Sequence, residues 1–116
     1  MQIKEKIANG IAIITLKGSI ISEPDTTKMR EKIYSLVTDG IKHAIIDLGG
    51  VDHVSSLGLG GLISALTTMR KAGGDIRLAR VAERVQNLLV ITRLVKIFDT
   101  YENVKKALMS YETERK

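Results

Sequence analysis

Ala44-Ile45-Ile46-Asp47-Leu48-Gly49-Gly50-Val51-Asp52-His53-Val54-Ser55-Ser56-Leu57-Gly58-Leu59-Gly60-Gly61-Leu62 is the stretch on which the fold turns. The segment Ile41 to Leu48 ends in a short apolar run broken only by Asp47, which reads as a strand buried in the centre of a sheet. Gly49 to Ser56 reads as a loop. A helix is expected from Leu57 to Lys71, with Leu59, Leu62, Ile63 and Leu66 on one stripe, and Gly73-Gly74 ends it. Asp75 to Val81 then reads as a further interior strand.

The pattern extends in both directions. Upstream, Gln2 to Ile7 alternates apolar and charged residues as an edge strand does, and Ile11 to Lys17 is nearly all apolar. Asn9-Gly10 between them is a preferred pair for a tight hairpin turn. Ser22-Glu23-Pro24-Asp25 reads as a helix start, since proline in the first turn forfeits no hydrogen bond. Met29, Ile33, Leu36 and Val37 recur at helical spacing, and Gly40 suits the C-terminal cap. Downstream, the sequence predicts a helix over Glu83 to Leu94, a short strand around Ile97-Phe98, and a last helix over Tyr101 to Tyr111. Val104, Leu108 and Met109 are its inward candidates. Strands and helices alternate after an opening hairpin, so the expected class is α/β. The expected architecture is a mixed sheet, parallel in its centre, flanked by about four helices. Residues 1–112 form one domain in this reading, and 113–116 a short charged tail.

Composition narrows the function. The chain has 116 residues, the size of one domain, and one Phe, three Tyr and no Trp, so its core is aliphatic. It lacks cysteine, which removes disulfides and thiol chemistry. The first residues do not form a signal peptide and no apolar run has membrane length, so a cytoplasmic protein with no membrane partner is expected. The net charge of +5 comes from scattered residues, the densest being the pairs Arg70-Lys71, Lys105-Lys106 and Arg115-Lys116. With almost no aromatic stacking surface, direct nucleic-acid binding is not expected.

The chemistry concentrates at Ser55-Ser56 and the glycines behind them. Glycine in a helix costs on the order of 1 kcal/mol relative to alanine, so three glycines among Gly58, Leu59, Gly60 and Gly61 imply a close approach to the backbone. Either serine suits the helix N-cap, and the plain reading is capping plus tight helix–sheet packing. The functional reading is that a helix N-terminus tolerates a phosphoryl group, which would repel a partner docked over bare glycines. Other chemistries fit less well. Gly58-Leu59-Gly60 matches part of a dinucleotide fingerprint, but the strand ending near Arg80 lacks the acidic residue that grips a ribose. Ser56, His53 and Asp47 could be drawn as a triad, but no Gly-x-Ser-x-Gly elbow holds the serine. His43 and His53 read as a strand and a loop residue without metal-ligand spacing. No enzyme activity, cofactor or metal is expected.

The whole series resembles the STAS domain family, and within it the free-standing bacterial anti-sigma factor antagonists. The resemblance rests on Ile45-Ile46-Asp47-Leu48, Val54 to Gly60, Met69-Arg70-Lys71-Ala72-Gly73-Gly74, Val85 to Leu94 and Ile97-Phe98-Asp99. It implies a regulator that binds an anti-sigma factor and so frees a sigma factor. It further implies that the partner is an ATP-using serine kinase acting on Ser56, with a phosphatase reversing the reaction. Ser55, Ser56, Leu57, Gly58, Leu59 and Gly60 would line the docking surface, in a monomer or a dimer. The chain departs from the family pattern at Ser55, where aspartate is usual, and at Leu57, where serine or threonine is usual. It departs again at Ile20-Ile21, where the connector often carries aspartate; Glu23 and Asp25 are the substitutes nearby. Ser55 is thus a second candidate acceptor. The alternative function is a non-switching STAS adaptor or scaffold in a signalling or lipid-trafficking complex.

Overall fold

The hairpin forms as its turn residues dictate. Strands β1 (Gln2–Ala8) and β2 (Ile11–Lys17) pair antiparallel, Ala8 opposite Ile11, in a computed structural model that describes residues 1–114. Asn9 and Gly10 take φ values of +53° and +78°, the left-handed pair that a two-residue hairpin requires. From β2 the chain passes through helix α1 (Glu23–Thr38) to β3 (His43–Gly50), through α2 (Ser56–Lys71) to β4 (Asp75–Ala79), and through α3 (Glu83–Ile91) to β5 (Thr100–Tyr101); α4 (Val104–Glu114) follows. The sheet order is β1-β2-β3-β4-β5, with β2 to β5 parallel.

Right-handed crossovers between sequential parallel neighbours put α1, α2 and α3 on one face. There Ala12, Ile14, Leu16, Ala44, Ile46, Leu48, Ile76 and Leu78 meet Met29, Ile33, Leu36, Leu62, Leu66 and Leu89 in the main core. The opposite face holds a smaller cluster of Ile11, Ile45 and Ala79 under Ala107 and Tyr111 of α4. The period-two alternation along β2 and β3 supplies both cores from the same strands. Tyr111 donates its hydroxyl hydrogen to the Ala44 carbonyl at 2.9 Å, and burial pushes its phenol well above the usual range. The Arg77 guanidinium lies 4.0 Å from the Tyr111 ring centre and bonds Ser110 and Glu114.

The start of α1 is electrostatic. One Asp25 oxygen accepts from the backbone N–H groups of Ile21 and Ser22 and from the Ser22 hydroxyl, each at 3.1 Å. Those backbone donors, led by Ile21, hold the carboxyl down at about 2. A depressed carboxylate stabilises the fold above its unfolded value near 4 and stops doing so as pH falls through its folded value. We expect Asp25→Asn to cost about 1 kcal/mol at pH 7. The gap from wild type should close between about pH 4 and pH 2 in urea titrations.

The last third differs from expectation. Arg93 adopts φ +63°, so α3 stops at Ile91 and a 3-10 turn over Leu94–Lys96 follows. Ile97 and Phe98 are therefore not strand residues; Phe98 is a buried plug, and the short strand is Thr100–Tyr101. Asn103 then accepts the Lys106 N–H at 2.8 Å, so the last helix starts at Val104 rather than Tyr101. That start leaves Met109 exposed and turns Ala107 and Tyr111 inward, with Val104 and Leu108 half-buried. Helix α4 runs to Glu114, into the stretch read as a tail, and residues 115–116 lie outside the described residues. Smaller differences are that β3 runs two residues past Leu48 and β4 stops at Ala79. Among the described residues no helix is long and apolar enough to cross a membrane.

Candidate functional site

Two connectors meet at the C-terminal ends of β2 and β3. Gly18 N–H donates to the Gly50 carbonyl, Ile20 N–H to His53, and Ser55 N–H back to Ile20, each at 3.0 Å. Ile20 and Val54 form a parallel bridge and both are buried, so the lacing is pinned into the core. The chain leaves this seam directly into α2, with Ser55 as its N-cap.

Ser55 and Ser56 have opposite situations. The Ser55 hydroxyl accepts the Gly58 N–H at 3.1 Å and donates to the Ile21 carbonyl at 2.8 Å. Its single proton is committed to tying the two connectors together. Ser56, the first residue of α2, is exposed, and its hydroxyl makes no hydrogen bond within the described residues. The first turn of α2 carries no acidic residue, so the partial positive charge of the helix end is unopposed there. Loss of the tie in Ser55→Ala is expected to cost about 1–2 kcal/mol in chemical denaturation. Ser55→Asp should be no better, although aspartate is a good cap: it has no proton to offer the Ile21 carbonyl and would repel it.

The three glycines divide by what surrounds them. A Cβ on Gly58 would overlap the Ile20 carbonyl oxygen, and one on Gly61 would come within 2.8 Å of Thr26 and 2.9 Å of Met29. These two let α2 lie against the connector and α1. Gly60 is exposed and a Cβ there would meet nothing. It lies one helical turn beyond Ser56, on the same side of α2. Leu57 and Ile21 are half-exposed apolar residues, at 51% and 47%. Gly58 and Leu59 are buried, Leu59 within the main core. They shape the surface from beneath, and Ser56, Leu57 and Gly60 form its outer part.

Three of the carboxylates around the site, Asp52, Asp25 and Asp47, are already engaged; the Glu23 side chain is exposed and bonds nothing among the described residues. Asp52 accepts from the Ser19 hydroxyl at 3.2 Å, and Asp25 holds the start of α1. Asp47 is 6% exposed and receives both Arg80 Nε at 2.8 Å and Nη2 at 2.9 Å, plus the Gly49 N–H. The bond to Asp47 raises the Arg80 pKa above its ordinary value. Asp47 is thereby spoken for, and no triad with His53 and Ser56 is assembled. The Asp47–Arg80 pair was not read from the sequence, although an aspartate inside an apolar strand signals a cationic partner. His43 is a strand residue whose ring lies 4.9 Å from Tyr111, and His53 is an exposed loop residue.

Known proteins share this fold. A relative from Paenibacillus polymyxa named anti-sigma F factor antagonist is 23% identical over 112 residues, covering 97% of this chain and 96% of its own length. The Thermotoga maritima protein TM1081 superposes with a TM-score of 0.85 at 20% identity, over 100% of this chain and 91% of that one. The Bacillus cell fate determinant SpoIIAA in its phosphorylated form gives 0.73 at 13% identity, over 95% and 99%. At these identities the two structures speak for the fold. The STAS domain profile matches residues 2–107, nearly the full length of the sheet and helices described above, and the chain belongs to the STAS domain family.

Proposed function

We propose that the protein is an anti-sigma factor antagonist, which binds an anti-sigma factor over the first turn of α2 and loses that binding when Ser56 is phosphorylated. The observation that carries this reading is the contrast between adjacent hydroxyls, Ser55 consumed by the connector seam and Ser56 free at an unopposed helix N-terminus. A phosphoryl group on Ser56 adds about 1.5 to 2 negative charges where the helix tolerates them. The same charge falls beside Leu57 and bare Gly60, the surface a partner would cover. Support also comes from the name of the Paenibacillus relative and from SpoIIAA having been solved in unphosphorylated and phosphorylated forms. In this reading the partner is a serine kinase, a phosphatase resets the protein, and both act in the cytoplasm.

The test is phosphopeptide mapping of the protein recovered from its own cells and after incubation with their extract and ATP. Phosphate on Ser56, absent from Ser55, is the expected result; phosphate on neither serine would remove the switch.

A second reading, a STAS adaptor that does not switch, is favoured by one observation. Asp25, an acidic residue close in sequence to the connector, is engaged by three donors and is not free to face a kinase or the acceptor. Stoichiometric phosphate on Ser56 in cells would exclude it.

A further inference from the structure

The loop that ends at Ser55 also walls a second feature. His53 and Val54 face Arg84, Leu88 and Ile91 of α3 across a cleft of about 210 Å³, with Val85 in its floor. Helix α3 buries only Val85 and Leu89, yet it presents Ile91 at 79% exposure in the wall of the cleft. Among the described residues nothing covers the Ile91 side chain, and apolar residues gathered around a concavity, here Val54, Val85, Leu88 and Ile91, mark an interaction surface more often than apolar residues scattered singly. Arg84 makes no ion pair or hydrogen bond within the described residues, so the rim of the cleft carries an uncompensated positive charge.

We propose that this cleft is a second anchor for the partner that docks on the α2 turn, taking an aliphatic side chain of that partner while a carboxylate of the same partner pairs with Arg84. The proposal rests on the docking reading above. The occupant follows from three facts. The cleft and the α2 turn share the hydrogen-bonded seam at residues 53–55, which puts both within reach of a single partner surface. A stable complex covers on the order of 800 Å² per side, far more than Ser56, Leu57, Ile21 and Gly60 supply, and the neighbouring concavity is apolar where the contact must spread. The unpaired guanidinium then selects an acidic neighbour for the aliphatic anchor. This division of labour gives Ser56 the switching and α3 the choice of partner.

Photo-crosslinking in the source cells tests it, with benzoylphenylalanine placed at Ile21 beside the α2 turn, at Asn87 on the cleft rim, and at Met109 on the opposite face of the sheet. The expected result is one protein crosslinked from both Ile21 and Asn87 and not from Met109. That protein, purified, should bind Ile91→Ser and Arg84→Glu about tenfold more weakly than wild type, at unchanged melting temperature and with the response to Ser56→Asp intact. A partner crosslinked from Ile21 alone, or bound equally by both variants, overturns the cleft and leaves the α2 docking site standing. An Asn87 crosslink only to a second copy of the chain overturns it as well. No crosslink from Ile21 removes the docking reading and the cleft with it.

Discussion

Ser56→Asp is expected to weaken binding of the anti-sigma partner by roughly 100-fold or more while the protein itself becomes slightly more stable. The two effects have one cause. A carboxylate in the first turn of α2 interacts favourably with the helix end, worth roughly 0.5 kcal/mol and about 2 °C in melting temperature. The same carboxylate, covered by a partner, loses its water without gaining a cation from this chain, because among the described residues no basic side chain bonds those around Ser56. An unpaired charge buried in an interface costs several kcal/mol. Ser56→Ala keeps the surface neutral and should bind within a few-fold of wild type. Calorimetric titration of the three proteins against one purified partner, with melting curves alongside, separates the outcomes. Equal binding by Ser56→Asp and wild type would show that the partner does not cover this turn, whatever modification Ser56 carries.

How much of this was legible in the sequence varied along the chain. The hairpin, the first two helices and the central strands were readable because local signals agreed: Asn9-Gly10 for the turn, Pro24 and Asp25 for a helix start, an apolar run for β3. The region after Glu83 was misread in its boundaries because its deciding features are not local. Arg93 takes a left-handed conformation that arginine seldom favours, and Phe98 is strand-like by type but is drawn into the core between a tight turn and β5. The last helix reads from Tyr101 in the sequence, but that residue pairs with β4 as a strand partner and Asn103 caps the helix two residues later. At the site, the serines and glycines announced themselves by type. Which serine is tied down depends on a carbonyl 34 residues away, at Ile21, and which glycine is free depends on Ile20, Thr26 and Met29. Those are facts of packing that composition and spacing do not carry.

The glycines make the sharpest test of that packing. Gly58→Ala should destabilise the protein by about 3 kcal/mol, even though alanine is the better helix former by about 1 kcal/mol. Its methyl would overlap the Ile20 carbonyl, the acceptor for the Ser55 N–H, so relief requires prising α2 off the connector seam. Gly61→Ala meets side-chain methyl ends of Thr26 and Met29, which can shift, and its cost should be near 1 kcal/mol or less. Gly60→Ala meets nothing and should stabilise by up to about 1 kcal/mol. Urea denaturation of the three variants checks the order. A Gly58→Ala protein as stable as wild type would mean that α2 does not lie against Ile20. The Gly60 result bears on function, because a helix that keeps an exposed glycine at a stability cost its own fold does not require has a reason outside the fold. If that reason is a partner's close approach, Gly60→Gln should remain folded and lose binding by about tenfold or more, with Ser56 still unmodified. Undiminished binding by Gly60→Gln would place the partner elsewhere on α2 and leave the bare glycine without an explanation.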